Sequence, residues 1–466
     1  MPDGIPATSE ELDRLLNDGA LRDWLVQQRW YASKTRSVSA IELVESAWLS
    51  ADPALLLALV QARFATGAHE LYQLPLLVAG SGSHGEAPPI ASSPALSVHD
   101  ALRDPANALV LMEQIDADSD IDTAQGRFSF HRAGDGAVLG SPGRPRSIGV
   151  EQSNTSVVFA DRLVLKVFRR LEPGINPELE VLRFLTANAF PNIAALHGWY
   201  EYDGPALAAT LGVVQEFLPD AVGGWELALE EIIAQPAQFI ERLAGLGQVT
   251  AALHCTLASD TGDPAFSPEE PSQESIALLT ATIDEDIERI FLRLPDDERF
   301  AAIAGRGQDV RERLAARTHF AVGGRVIRTH GDYHLGQTLL SPRGWVVIDF
   351  EGEPARPLPE RRRKRSALRD VASMLRSFAY VASAVTLLRG DQAPGEFEQR
   401  ARDAFLDAYF AGVDSTLLPA GDAAVGSLLS IFELEKAIYE LQYELDNRPG
   451  WVSIPVAGIV RLLESS

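Results

Sequence analysis

The chain has 466 residues, enough for a large core shared among two or three subdomains. Its 46% hydrophobic and 23% charged content is that of an ordinary globular protein. With 41 Lys and Arg against 65 Asp and Glu the formal charge is −24, so no nucleic acid and no anionic membrane is expected as a partner, because phosphates require Lys and Arg.

Met1-Pro2-Asp3-Gly4-Ile5 has neither the basic start nor the apolar run of a signal peptide, and no apolar run reaches the ~18 residues that cross a bilayer. The single cysteine, Cys255, lies in an apparent helix and reads as a small buried hydrophobe; one cysteine forms no internal disulfide, which fits a reducing, cytoplasmic setting. Residues 8 to 30 have helical apolar spacing through Leu12, Leu15, Leu16, Leu21, Trp24 and Leu25. Segments 41–49, 54–64 and 70–78 read as strands, and the Gly-, Ser- and Pro-rich 80–95 as a loop. Residues 1–110 thus form a small α/β subdomain.

Further strands are expected at Phe128-Ser129-Phe130 and Ile148-Gly149-Val150. Between β-like runs stands the polar turn Gln152-Ser153-Asn154-Thr155-Ser156. Its N–H groups and hydroxyls suit phosphate oxygens, but a plain hairpin turn accounts for it equally well. Arg162 to Arg170 is a strand carrying Lys166 among apolar residues, and Asn176-Pro177 opens a helix. A strand lysine followed by a helix glutamate is the kinase arrangement for ATP phosphates; Glu180 is the expected partner of Lys166, with Glu178 as the other candidate. Leu211 to Pro219 reads as a buried strand ending in a polar turn, so Gln215, Glu216 and Phe217 occupy the place of an adenine-binding hinge. This 111–218 stretch is β-rich. From 219 onward helical spacing dominates, over 225–260, 273–318, 366–389, 396–411 and 423–446.

One stretch in that helical half carries chemistry. His330-Gly331-Asp332-Tyr333-His334-Leu335-Gly336-Gln337 precedes a turn and the apolar run Trp345-Val346-Val347-Ile348, which ends in Asp349-Phe350-Glu351-Gly352-Glu353-Pro354. Asp332 can accept a hydroxyl proton, and Gln337 and Asp349 offer hard oxygens to Mg²⁺. An Asp, an amide five residues on and a second Asp beyond a hairpin match the spacing of a kinase catalytic loop. A zinc site at His330 and His334 is disfavoured, since no Glu stands between them as in the protease pattern. The run Arg361-Arg362-Arg363-Lys364-Arg365 reads as a solvated, charge-balancing loop.

These motifs in this order, with Leu165-Lys166-Val167-Phe168, Gly174-Ile175-Asn176-Pro177, Leu368-Arg369-Asp370-Val371-Ala372, Arg29-Trp30-Tyr31-Ala32 and Arg448-Pro449-Gly450-Trp451, resemble the maltokinases. These are bacterial sugar kinases of the aminoglycoside-phosphotransferase-like fold. The resemblance covers nearly the whole chain. It implies an α+β, bilobal, protein-kinase-like fold: an N-terminal cap (1–110), an intermediate subdomain completing the N-lobe (111–218) and a helical C-lobe (219–466). It implies ATP- and Mg²⁺-dependent conversion of maltose to maltose 1-phosphate for α-glucan synthesis by a monomer or homodimer. Carried over by position, Asp332 is the base, Gln337 and Asp349 are metal ligands, Lys166 contacts ATP phosphates and 152–156 is the phosphate loop. A small-molecule sugar acceptor would meet C-lobe residues, with His330, His334, Glu351, Arg448, Tyr443, Asp446 and Trp451 as candidates; Tyr443 and Trp451 read equally well as core. Asp446-Asn447 stands where maltokinases often carry basic residues. A related branch phosphorylates glucosamine, whose ammonium an acidic Asp446 would suit. The intact Lys166, Asp332, Gln337 and Asp349 argue against a nucleotide-binding protein without turnover.

Overall fold

The computed structural model describes all residues except 1–8, 17–18, 32, 81–87, 135, 137, 139, 141–142, 149–153, 260–261, 319–322, 355 and 465–466. Gln152 and Ser153 of the expected phosphate turn, Gly149 and Val150 of an expected strand, and Ala32 lie outside the described residues. The chain forms two compact units, Met1–Thr186 with Ala194–Pro219, and Ala187–Ile193 with Asp220–Ser466.

The first unit holds two antiparallel sheets. In one, the strand Ala54–Phe64 lies between Val38–Ala51 and His69–Gly80, with Leu96–Asp100 and Ala91–Ser92 beyond. Side chains alternate across a strand, so Leu56, Ala58, Val60 and Ala62 share one face with Tyr72, Leu74 and Leu76 of the neighbouring strand. That face is covered by Leu15, Leu16, Leu21 and Leu25. These leucines belong to two helices, Ser9–Leu16 and Gly19–Leu25, where sequence spacing suggests one. The second sheet runs in the order Asp120–Asp122, Arg127–Arg132, Leu196–Gly204, Leu207–Glu216, Leu163–Phe168, Asn154–Phe159, Arg146–Ser147. Helices Ala108–Asp116, which the sequence reading omits, and Pro177–Ala187 accompany it.

Two buried side chains join these sheets. Gln73, on the first sheet, donates to the carbonyls of Phe168 (2.7 Å) and Leu211 and accepts from the Tyr200 hydroxyl at 3.0 Å. Arg169, 1% exposed, donates to both carboxylate oxygens of Asp100 at 3.0 Å and to Thr155 Oγ1 at 2.8 Å, and lies over the Trp30 ring. The cap sheet and the strand after the phosphate turn thus share one arginine.

The second unit is mostly helical. The expected 225–260 helix is two, Gly224–Ala234 and Pro236–Leu257, because Pro236 lacks the N–H that would continue the first and suits the first turn of the next. The 273–318 segment likewise divides into Gln273–Phe291 and Gly307–Thr318. Leu368–Arg389, Phe397–Gly412 and Asp422–Asn447 follow, and then Ser453–Glu464, absent from the sequence reading. Leu368–Arg389 is long and apolar enough to cross a membrane, a property the sequence reading missed; two thirds of its apolar window is buried inside the protein, with Asp370 and Arg376 on it. A small sheet of Val222–Gly223, Thr338–Ser341 and Gly344–Val347 carries the hairpin of the chemical motif. Asn192 donates to the Trp345 carbonyl at 2.7 Å and steadies it. The architecture is α+β, with a capping region, a sheet-rich middle and a helical C-terminal region.

The arginine 361–365 run is not a solvated loop. Only Arg363 is fully exposed, Arg361 donates to the Glu351 carbonyl at 3.1 Å, and Arg365 exchanges backbone hydrogen bonds with Ile327. Burial lowers the Arg365 guanidinium to about 10. Cys255 is half-buried, its thiol against the Gly412 carbonyl.

Removing one partner of a buried ion pair leaves the other charge uncompensated, which costs about 3–5 kcal/mol. Arg169→Met is expected to lower stability by that amount in denaturant unfolding. A loss under about 1 kcal/mol would put the Arg169–Asp100 pair in the class of surface bridges.

Candidate active site

In the first unit, strand pairing sets Lys166 opposite Ser156, so the two side chains share a face. Thr155 lies on the other face, its hydroxyl accepting from Arg169. Among the described residues of the expected phosphate turn, Ser156 is the one paired directly with Lys166. Lys166 Nζ is 2.7 Å from Glu178 Oε2, and Gln215 Nε2 donates to Glu178 Oε1 at 2.8 Å. The glutamate of the lysine pair is Glu178, not Glu180. Pro177 starts the helix, and Asn176 Oδ1 accepts the Glu178 N–H at 2.8 Å, which orients the first turn so that position 178 is buried and 180 only half so. In the expected hinge, the Glu216 N–H donates to the Ala195 carbonyl and the Phe217 N–H to the Arg162 carbonyl. These two donors are thus engaged within the unit rather than open to an adenine. The Phe217 ring carries the Arg146 guanidinium at 5.1 Å.

In the second unit the motif is built around Asp370, in the first turn of Leu368–Arg389. Its carboxylate accepts the N–H of His330 at 2.8 Å and of Gly331 at 3.0 Å, and meets His254 Nε2 at 3.3 Å. Burial alone would push this carboxyl up, but the hydrogen bond from His254, the neighbouring imidazoles and the Gly331 N–H together hold it below its ordinary range. Gly331 has φ 86°, and a Cβ there would touch the Gly352 Cα at 3.4 Å, so the two ends of the motif approach through glycine.

His330 is 1% exposed; its Nε2 lies 2.9 Å from the Ile348 carbonyl and its Nδ1 accepts the Asp332 N–H at 3.4 Å. That assigns the ring proton to Nε2 and makes His330 a frame residue, not an acceptor contact. His334 Nδ1 accepts the Gly336 N–H at 3.0 Å, capping the Leu335–Gln337 turn, and its Nε2 is 3.8 Å from Asp332 Oδ2. Its desolvation lowers its basicity against the pull of Asp332. Gln337 Nε2 donates to Asp349 Oδ2 at 3.0 Å, so the two expected metal ligands meet. Asp349 adopts φ 65°, a left-handed conformation that a non-glycine residue holds only when its surroundings demand it. The amide oxygen of Gln337 and the Asp349 carboxylate form an all-oxygen donor pair that fits Mg²⁺.

The sequence reading missed Lys436. Its ammonium lies 3.1 Å from Asp332 Oδ1 and 3.2 Å from Glu353 Oε1. Glu353 is also held by Arg356 at 2.5 Å and Arg369 at 3.6 Å, and both arginines reach Glu435. A lone lysine on a helix stripe with Leu429, Phe432 and Tyr439 is the signal that could have marked it. Among the acceptor candidates, Arg448 stands over both Tyr443 and Trp451, with centroid distances of 5.3 and 4.9 Å, and pairs with Glu444. Tyr443 is 44% exposed, so it is not core. Glu351 is half-buried, its carbonyl taken by Arg361. Asp446 lies in the last turn of its helix, half-exposed, with Arg293 at 3.5 Å. A protein cation already faces that carboxylate.

A helical unit whose loop presents a carboxylate and, at the end of the following hairpin, an oxygen donor pair has the arrangement of a kinase-like phosphotransferase. Residues 24–104 match the maltokinase N-terminal cap domain, and residues 143–352 match the phosphotransferase enzyme family. The chain is 29% identical over 338 residues to a glucosamine kinase of Mycolicibacterium smegmatis, spanning 68% of this chain and 79% of that protein. It is 28% identical over 333 residues to a glucosamine kinase of Streptacidiphilus jiangxiensis, spanning 68% and 73%. A solved glucosamine kinase in complex with glucosamine, ADP and inorganic phosphate shares the fold, with a TM-score of 0.71 and 23% identity over 98% of this chain and 99% of that one.

Burial would raise the Glu353 carboxyl, but Lys436, Arg369 and Arg356 outweigh it and hold the group at about 2, below its ordinary 4.5. A depressed carboxyl adds stability that is complete above pH 4.5 and is lost as pH falls through about 2, here on the order of 3 kcal/mol. Glu353→Gln is expected to flatten the stability curve between pH 5 and 2. An unchanged acid limb would mean the network leaves Glu353 unshifted.

Proposed function

We propose that the chain is an ATP-dependent sugar kinase, acting in the cytoplasm. The observation that carries this reading is the Gln337–Asp349 contact, made across the hairpin that follows the Asp332 loop, inside a region that matches the phosphotransferase family. ATP is the phosphoryl donor. Lys166, held by Glu178, serves its phosphates. Asp332 orients the acceptor hydroxyl and takes its proton as the oxygen attacks the γ-phosphorus in line, and the bond to ADP breaks with its electron pair on the departing β-phosphate oxygen. A Mg²⁺ on Gln337 and Asp349 would supply charge neutralisation at the phosphates.

Glucosamine is the acceptor supported by the two curated relatives, which bear that name over about two thirds of this chain. Maltose, converted to maltose 1-phosphate for α-glucan synthesis, is the second reading, supported by the cap-domain match over residues 24–104. The Arg293 pairing of Asp446 removes the sequence-based reason to give that residue the ammonium, so an aminosugar would be taken elsewhere.

General-base catalysis contributes 10²–10⁴-fold, and Asp332→Asn is expected to lower kcat by about that factor with the ATP KM preserved. Asp349→Ala is expected to raise the Mg²⁺ concentration for half-maximal rate at least about tenfold, which a Mg²⁺ titration reads. A sugar panel with an ATP-consumption readout ranks acceptors. A higher kcat/KM for maltose than for glucosamine reverses the preference and leaves the kinase reading intact; absence of turnover on every sugar removes it.

A further inference from the structure

Resting on that kinase reading, we propose that Lys436 is the positioning residue of Asp332: its ammonium grips one carboxylate oxygen of the base, Oδ1, and leaves Oδ2 to meet the acceptor hydroxyl.

Lys436 is not a casual surface partner. Its side chain is 14% exposed, and Nζ stands between Asp332 Oδ1 at 3.1 Å and Glu353 Oε1 at 3.2 Å. Glu353, 5% exposed, is itself fixed by Arg356 and Arg369, and these by Glu435, the neighbour of Lys436 on the same helix. The lysine is therefore pinned from behind by alternating charges, and its free direction is toward the base. Tyr439, one turn along, lies beneath the ammonium at 5.0 Å, and Tyr443 continues that helix face. Burying a lysine and a carboxylate is a poor way to gain stability, since desolvation cancels most of the attraction. The same pair is a good way to fix the direction of a carboxylate that must act as a base.

In the reaction the ammonium keeps its proton. The acceptor hydroxyl loses its proton to Asp332 Oδ2, its oxygen bonds to phosphorus, and ADP departs with the electron pair. Lys436 then remains balanced by Glu353. The groups facing the base are Lys436 and His334, and those facing Lys436 are Asp332, Glu353, Tyr439 and Glu440.

The test uses the full-length chain with ATP, Mg²⁺ and the best sugar of the panel, following kcat and the KM of ATP and of the sugar. Lys436→Met is expected to lower kcat at least about tenfold with both KM values within about threefold, the split expected of a group that acts in the transition state. Lys436→Arg, which keeps the charge, restores at least about a third of kcat. A Lys436→Met enzyme with kcat within about twofold of wild type, or a Lys436→Arg enzyme no faster than Lys436→Met, overturns the assignment while the kinase reading stands. If that variant does not fold, Lys436→Gln is read in its place; failure of both to fold assigns the lysine to stability and overturns the proposal. A wild-type chain that phosphorylates no sugar overturns the kinase reading and this assignment with it.

Discussion

The buried carboxylate of Asp370 is the constraint on which the second unit depends. It takes two consecutive backbone N–H groups from the His330–Gln337 loop and faces the ring of His254, which Tyr409 meets at its other nitrogen at 3.0 Å. His330 is buried, and an unmade buried hydrogen bond costs about 1–3 kcal/mol. With His330 fixed, its ring reaches the Ile348 carbonyl at the end of the hairpin. One carboxylate on a core helix thereby sets the loop that carries Asp332 and, through His330, the turn that carries Asp349.

The chain is strongly acidic overall, yet Asp332, the proposed base, sits beside a cluster of cations. Lys436, Arg356 and Arg369 converge on Glu353, 5% exposed, and Asp332, 20% exposed, is the more open of the two carboxylates that Lys436 meets. Such a network gives little net stability, because each charge must be desolvated. It does restrict geometry: each side chain is held from two directions. In the first unit Arg169 plays a comparable part, tying the cap strand to the Thr155 strand next to Lys166.

What was legible in the sequence follows from range. Asp332, Gln337 and Asp349 lie within 18 residues across one hairpin, so spacing alone brings them together. The alternating runs of the first sheet and the long helices were readable for the same reason: their periods are local. Lys436 was not, because it meets Asp332 from 104 residues away on a helix whose rotation only packing decides. The choice between Glu178 and Glu180 needed the phase of a helix start, which Asn176 sets by a hydrogen bond to the backbone. The helix break at Pro236 was visible as a residue but was overridden in the reading by apolar spacing on both sides. The acceptor residues were least legible, since Arg448, Tyr443 and Trp451 could be named as a motif but their mutual stacking, and the turn of Asp446 toward Arg293, depend on tertiary position.

The central claim is direct, in-line phosphoryl transfer from ATP to a sugar hydroxyl with Asp332 as base rather than as a covalent carrier. The most direct measurement is the stereochemical course with ATP made chiral at the γ-phosphorus by oxygen isotopes. A single in-line displacement predicts inversion at phosphorus in the sugar phosphate. Retention would require two displacements through a phosphorylated enzyme and would contradict the account.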